Sequence, residues 1–239
     1  VVLSVLSVGG AAALRRHEAT PALGAAAEPR AGGEAARARE ADGPLDAAAD
    51  ARATARLAMS AAQASADETY VAEAVSEHAA RAENREQAFR VDVTRGRLEV
   101  ASHAAEGATP GFELTLGLVA AGREGETLDV TPARTATEGN QIRVLREGLL
   151  EWFVNGPLGL EQGFELSERP AGEGPLRFEL EVEGLRPEAR GSFIALLDEA
   201  GVQQARYSDL YALDAEGDDV PAHMHVSDGR IVLEVDDQD

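Results

Sequence analysis

His223 and His225, one residue apart, are the side chains in this sequence best spaced for metal chemistry. On an extended strand residues i and i+2 share a face, so both imidazoles could reach one ion. With Asp228-Gly229 as a two-residue turn, Val226 faces Ile231, Met224 faces Leu233 and Ala222 faces Val235 on one side. His223 and His225 then point the other way, opposite Glu234 and Val232, and Glu234 becomes a third ligand of the kind zinc or iron uses. The plainer reading, two histidines on a solvated sheet face, is the one adopted. His17, His78 and His103 stand in unrelated contexts, so no metal ligand is assigned.

Two further groups could do chemistry. Asp214, Glu216 and Asp218 alternate around Gly217 like a small calcium loop, but the remote bidentate Glu of an EF-hand is missing and acidic strand-to-strand turns have this composition. Glu151, Glu161 and Glu165 flank Trp152, an aromatic-plus-carboxylate grouping that sugar hydrolases use when two carboxyls stand at a fixed separation. We read Trp152 and Phe153 instead as core anchors and Asn155-Gly156-Pro157 as a tight turn. In that reading Gly159 and Gly163 relax the backbone, Pro157 sets the turn, and Glu161 or Gln162 caps backbone donors. Trp152→Ala would then cost about 3 to 5 kcal/mol through a core cavity. G-x-S-x-G, H-E-x-x-H, P-loop and G-x-G-x-x-G motifs are absent, and no catalytic or cofactor-binding residue is assigned.

The elements that must position these residues are strands. In "FRVDVTRGRLEVAS" an Arg95-Gly96 turn pairs Val93 with Leu98 and Val91 with Val100, a hairpin with one dry and one charged face. "GFELTLGLVAAG" continues the period of two with Phe112, Leu114, Leu116 and Leu118. "QIRVLREG", "LLEWFV", "PLRFELEVEG", "SFIALLDEAG" and "GRIVLEVDD" follow it, with Gly and Pro between them. Seven or more short strands without intervening long helices predict a mainly β fold, an antiparallel sandwich or barrel. Tyr70 to His78 fits a short helix or an irregular strand equally well.

Composition limits the partners. The chain has 239 residues, 44% apolar but only 4% aromatic, with 22 basic residues against 43 acidic ones and a formal charge of -21. Such a surface repels phosphate backbones and anionic headgroups, so neither nucleic acid nor membrane insertion of the folded domain is expected. There is no cysteine, which excludes disulfides, thiolate metal sites and a Cys nucleophile.

Three regions are expected. Residues 1–27 hold the apolar run "VVLSVLSVGGAAAL", too short to span a bilayer, and "GAAAEP" as a cleavage neighbourhood. They read as a truncated secretory segment, with a membrane-anchor fragment or a buried apolar segment as the alternatives. Residues 28–66 read as an acidic, Ala-rich linker, disordered or partly helical, with a marginal helix at most over "LDAAADARATARLAMSAAQASADE". Residues 67–239 are expected to form the antiparallel β domain.

"EWFVNGPLGLEQGFEL", with Arg169-Pro170 and "LRFELEVEG" after it, resembles a segment of large exported bacterial proteins of myxobacterial type that carry integrin-like FG-GAP repeats further on. "YSDLYALDAEGDDVPAHMHVSDGRIVLEVDD" is similar to that family's Y-x-x-L-x-A-x-D-x-x-G-x-x-x-P-A block. "AENR" with "FR" at Ala82 to Arg90 resembles its A-P-N-R segment, with Glu83 in place of proline. The resemblance spans roughly Tyr70 to Asp239. It implies a β-rich, non-catalytic structural or adhesion-associated module, secreted or at the cell surface, preceding a β-propeller, with the β domain of residues 67–239 truncated at its C-terminal end, since the family runs on beyond the point where "VDDQD" stands here. Calcium loops of the propeller have no counterpart here, so no cofactor is expected. The partners implied are that propeller and an extracellular protein or polysaccharide. A carbohydrate-binding sandwich is the alternative, distinguished by whether Trp152, Tyr207 or Tyr211 is exposed, and a glycoside hydrolase is the third reading.

Overall fold

The computed structural model describes the backbone of residues 2–8, residues 61 and 63, and residues 68–103 and 111–237. The cleavage neighbourhood at residues 24–29 and most of the 28–66 linker lie outside the described residues. So does the greater part of the helix candidate over 45–68, within which Ala61 and Gln63 are helical.

In chain order the strands are β1 (Val2–Val8), β2 (Ala72–Ser76), β3 (Ala79–Asn84), β4 (Phe89–Thr94), β5 (Arg97–Ser102), β6 (Glu113–Arg123) and β7 (Glu126–Thr127). They continue as β8 (Arg134–Glu138), β9 (Gln141–Leu145), β10 (Leu149–Gly156), β11 (Gly159–Leu166), β12 (Leu176–Glu183) and β13 (Arg186–Arg190). The last are β14 (Phe193–Leu197), β15 (Gln203–Leu213), β16 (Asp219–Val220), β17 (Ala222–Ser227) and β18 (Arg230–Val235). Tyr70 ends a short 3-10 turn, and the ambiguous segment after it is β2, a strand whose register slips between Ala74 and Ser76.

Among the described residues these strands form two nine-stranded antiparallel sheets. The first runs β13-β14-β15-β1-β11-β10-β9-β8 with β16 on β15. The second runs β17-β18-β12-β6-β5-β4-β3-β2 with β7 on β6. Alternation puts Val91, Val93, Leu98, Val100, Leu114, Leu116, Phe178, Leu180, Ile231 and Leu233 of the second sheet into one core with Ile142, Val144, Phe153, Leu160, Phe164, Ile194, Leu196 and Tyr207 of the first. This is the mainly β, antiparallel sandwich-like arrangement that the period of two predicts.

Both predicted hairpins have the expected register. Val93 pairs with Leu98 and Val91 with Val100 across an Arg95-Gly96 turn whose φ angles are 50° and 72°. Val226 pairs with Ile231, Met224 with Leu233 and Ala222 with Val235 across Asp228-Gly229, with φ of 49° and 75°. Two consecutive positive φ angles match the right-handed twist of the flanking strands, which is why Gly stands second in each turn.

Other parts differ from expectation. Residues 159–166, in which Gly159 and Gly163 are expected to relax the backbone after the turn, are a full strand: β10 and β11 pair from Leu149↔Leu166 to Gly156↔Gly159, leaving only Pro157-Leu158 as the connection. Two glycines, two Glu and a Gln hide the strand, because their β-propensity is low and burial of Gln162 depends on Glu151 and Tyr207. In β6 the register shifts opposite Glu179 and Leu180, so Leu118 and Ala121, rather than Leu118 and Ala120, both face the core.

Val2–Val8, expected within a truncated secretory segment, is a paired strand here. Val2 to Leu6 pair with Phe164 to Leu160 on β11, and Leu6 to Val8 pair with Tyr207 to Ala205 on β15. Flanked on both sides, β1 satisfies its own backbone groups and those of two strands that do not pair with each other. No described helix is long and apolar enough to cross a membrane.

Candidate functional site

The histidine pair lies where the β17–β18 hairpin puts it. His223 is opposite Glu234 and His225 opposite Val232, on the face of the second sheet that points away from the core. His223 Nε2 stands 2.6 Å from Glu234 Oε2, and His225 Nδ1 stands 3.8 Å from the same oxygen. The two rings are nearly parallel, with centroids 6.1 Å apart. Glu234 Oε1 turns the other way, 3.0 Å from Arg177 Nε on β12. One potential ligand atom from each of His223, His225 and Glu234 lies within 4.8 Å of the others.

The acidic loop is organised differently. Asp214 Oδ1 accepts hydrogen bonds from the backbone N–H of Glu216 (3.0 Å) and Asp218 (2.8 Å), and Asp214 N donates to Asp218 O. This carboxylate thus closes its own turn.

The three carboxylates around Trp152 do not converge. Glu151 points into the core, whereas Glu161 lies opposite Val154 on the outer face of the first sheet. Glu161 and Glu165 share a strand face, with Cα atoms roughly 13 Å apart at the usual rise per residue. A retaining or inverting pair needs about 5 to 10 Å between carboxyls. Trp152 is half-buried on the outer face rather than a core anchor, because Phe153 takes the inward position beside it. Tyr207 and Tyr211 are buried, so none of the three aromatic rings that would mark a sugar platform is exposed.

Sequence reasoning missed two buried polar groups. In the first, Gln162 Nε2 donates to Glu151 Oε1 (2.7 Å), and Tyr207 Oη donates to Gln162 Oε1 (3.0 Å). Arg146 Nη2 lies 2.7 Å from Glu151 Oε2, close but poorly aligned for a hydrogen bond, while its Nε donates to Val130 O (2.7 Å). Burial pushes the Glu151 carboxyl above its ordinary range, against the opposing pull of Arg146 and the Gln162 bond. Gln162 therefore bridges side chains instead of capping backbone donors.

The second group is an asparagine network that bridges the sheets. Asn155 Nδ2 donates to Tyr70 O (3.1 Å) and Glu83 O (2.8 Å), and Asn84 Nδ2 donates to Asn155 Oδ1 (3.0 Å) and Gly156 O (2.8 Å). Asn140 Nδ2 donates to Asn155 O (2.6 Å) and to Gln63 O (2.8 Å). Gln63 Nε2 in turn donates to Gly159 O (2.7 Å), and its Oε1 accepts from Leu158 N (3.1 Å). Asn155 is thus a strand residue fastening β10 to β3, not the start of a turn. The signal available in the sequence was the Asn in "AENR" together with the Asn of "VNGP", two amides beside turns; Asn84 Oδ1 accepts locally from Gln87 N (3.0 Å), and its Nδ2 is left to reach across to β10.

At one end of the sandwich a cleft of about 550 Å³ has Phe164 and Phe178, stacked at 4.7 Å, among its lining, with Pro170, Val220 and Pro221. Asp214, Glu216, Asp219, Asp236 and Asp237 line it as well, so it would disfavour anions. Beside it the buried Arg123 ties three segments together: Nε donates to Pro170 O (3.1 Å), Nη1 to Gly174 O, and Nη2 to both carboxylate oxygens of Asp237 (2.8 and 2.6 Å). Compared with known proteins, the chain matches no family model, no curated protein and no solved structure.

Proposed function

We propose that this chain is a non-catalytic structural or adhesion-associated module of an exported, cell-surface bacterial protein, one that precedes a β-propeller. The observation that carries the reading is the use made of the polar residues in Glu151–Leu166. Asn155 fastens the two sheets, while Glu151 and Gln162 join Arg146 and Tyr207 inside the core. Side chains committed in this way hold a scaffold rigid, and rigidity is what a spacer or adhesive module has to supply. Export rests on the resemblance to FG-GAP-bearing proteins, since Val2–Val8 is here a strand shared by β11 and β15.

The test combines location with ligand indifference. Protease shaving of intact cells that carry the native protein should release peptides of the β domain, and protection until lysis would refute export. In the purified chain, Trp152 emission and its acrylamide quenching should stay unchanged on addition of calcium or of a panel of polysaccharides. Protection of the ring by a glycan would move carbohydrate binding into first place.

A further inference from the structure

We propose that His223, His225 and Glu234 form a binding site for a borderline divalent transition ion of the Zn²⁺ class, bridging the edge strand β17 to β18. The proposal does not depend on the structural-module reading. The donor set is two imidazole nitrogens and one carboxylate oxygen, which suits zinc, copper or nickel, whereas calcium and magnesium prefer all-oxygen shells.

Geometry carries the inference. With metal–ligand distances of about 2.0 to 2.2 Å, two ligands of a tetrahedral ion stand roughly 3.4 Å apart. His223 Nε2 and Glu234 Oε2 at 2.6 Å would have to open by less than that bond length, and His225 Nδ1 at 3.8 Å would have to close by a few tenths of an ångström. The two imidazole nitrogens, within 4.8 Å of each other, would close by at most roughly 1.4 Å, and the histidine side chains, 65% and 38% exposed, have room for these adjustments. Glu234 is less exposed, at 15%; Arg177 Nε lies 3.0 Å from Oε1, close but poorly aligned for a hydrogen bond, and Oε2 lies on the imidazole side. The guanidinium is a nearby positive charge, but a chain of net charge -21 supplies an attractive field for cations overall. Three protein ligands leave a tetrahedral ion one position for water or for a group from outside.

The test is calorimetric titration of the untagged full chain with ZnCl2, with excess MgCl2 present to occupy general carboxylate sites. One Zn²⁺ per chain is expected, and His223→Ala/His225→Ala should abolish that transition while His78→Ala/His103→Ala keeps it. E234Q should shift the isotherm to weaker binding. Proton NMR of the wild type gives a readout independent of the variants' folding: the ring signals of His223 and His225 should move on adding Zn²⁺ in one-to-one ratio, with those of His78 and His103 unmoved. No saturable binding, or equal binding by the wild type and the double variant, would overturn the site. So would ring signals of His223 and His225 that ignore the metal.

Discussion

The indole of Trp152 covers Gly163, its direct partner on the neighbouring strand: a β-carbon added at residue 163 would lie 2.2 Å from Cζ2 and 2.4 Å from Cε2 of the ring. Gly163 is a glycine because an aromatic ring occupies the space above it, and the ring shields backbone that a glycine would otherwise leave open. The pair sits on the outer face of the first sheet, where Trp152 is half-buried. Trp152→Ala should therefore cost about 1 to 2 kcal/mol, from partial loss of apolar burial and of one cross-strand pair, rather than the cost of a core cavity. Gly163→Ala should displace the ring and red-shift its fluorescence. The double variant should be less destabilised than the sum of the two, which urea titration of all four proteins measures.

Arg146 and Glu151 form an ion pair with both side chains almost fully inaccessible. Glu151→Leu alone leaves a buried guanidinium without its partner and should cost about 3 to 5 kcal/mol, while Arg146→Met/Glu151→Leu should recover most of it. Burial raises the Glu151 pKa above its ordinary 4.5, so the folded state holds the proton more tightly than the unfolded chain. The stabilising contribution is fully present below the unfolded value and is lost as pH rises through the folded one. Wild-type stability, expressed relative to the double variant, should accordingly fall as pH increases above 4.5. Denaturant titrations of both proteins across that range check it.

Asn155→Asp tests the bridge between the sheets with almost no change of shape. It replaces an amide that donates to Tyr70 O and Glu83 O by a group that accepts, setting oxygen against two carbonyls. A loss on the order of 3 kcal/mol is expected for it and for Asn155→Ala, which leaves the same carbonyls and the Asn84 amide short of partners. Asn84→Ala combined with Asn155→Ala should lose less than the two separately.

The two tight hairpins separate backbone strain from crowding. Gly229, with φ of 75°, has nothing within 4 Å of an added β-carbon, so Gly229→Ala should cost about 1 to 2 kcal/mol of left-handed strain alone. At Gly96, φ 72°, the added carbon would meet Pro132 Cγ at 2.5 Å and Arg146 Nη2 at 2.8 Å. Gly96→Ala should exceed Gly229→Ala by about 1 to 3 kcal/mol, since it overpacks the site and pushes on the buried ion pair. Comparison of their urea midpoints decides the order.

Both of these hairpins, and with them the shared face of His223 and His225 opposite Glu234, were legible in the sequence. A two-residue turn with Gly second, set between alternating residues, defines a register from local information alone. The mainly β class follows from the same period of two. Other features depended on residues far apart in the chain. The inward position of Glu151 and Gln162 needs Arg146 and Tyr207 as partners, and the burial of Asn155 needs Asn84 and the carbonyls of Tyr70 and Glu83. A polar side chain carries no mark in its own sequence of whether such partners will reach it, and without them burial would be too costly. The pairing of Val2–Val8 with strands more than 150 positions away is of the same kind. A run of apolar residues suits a strand, a leader or an anchor alike, and it was the backbone groups that β11 and β15 leave unpaired between them that decided its place.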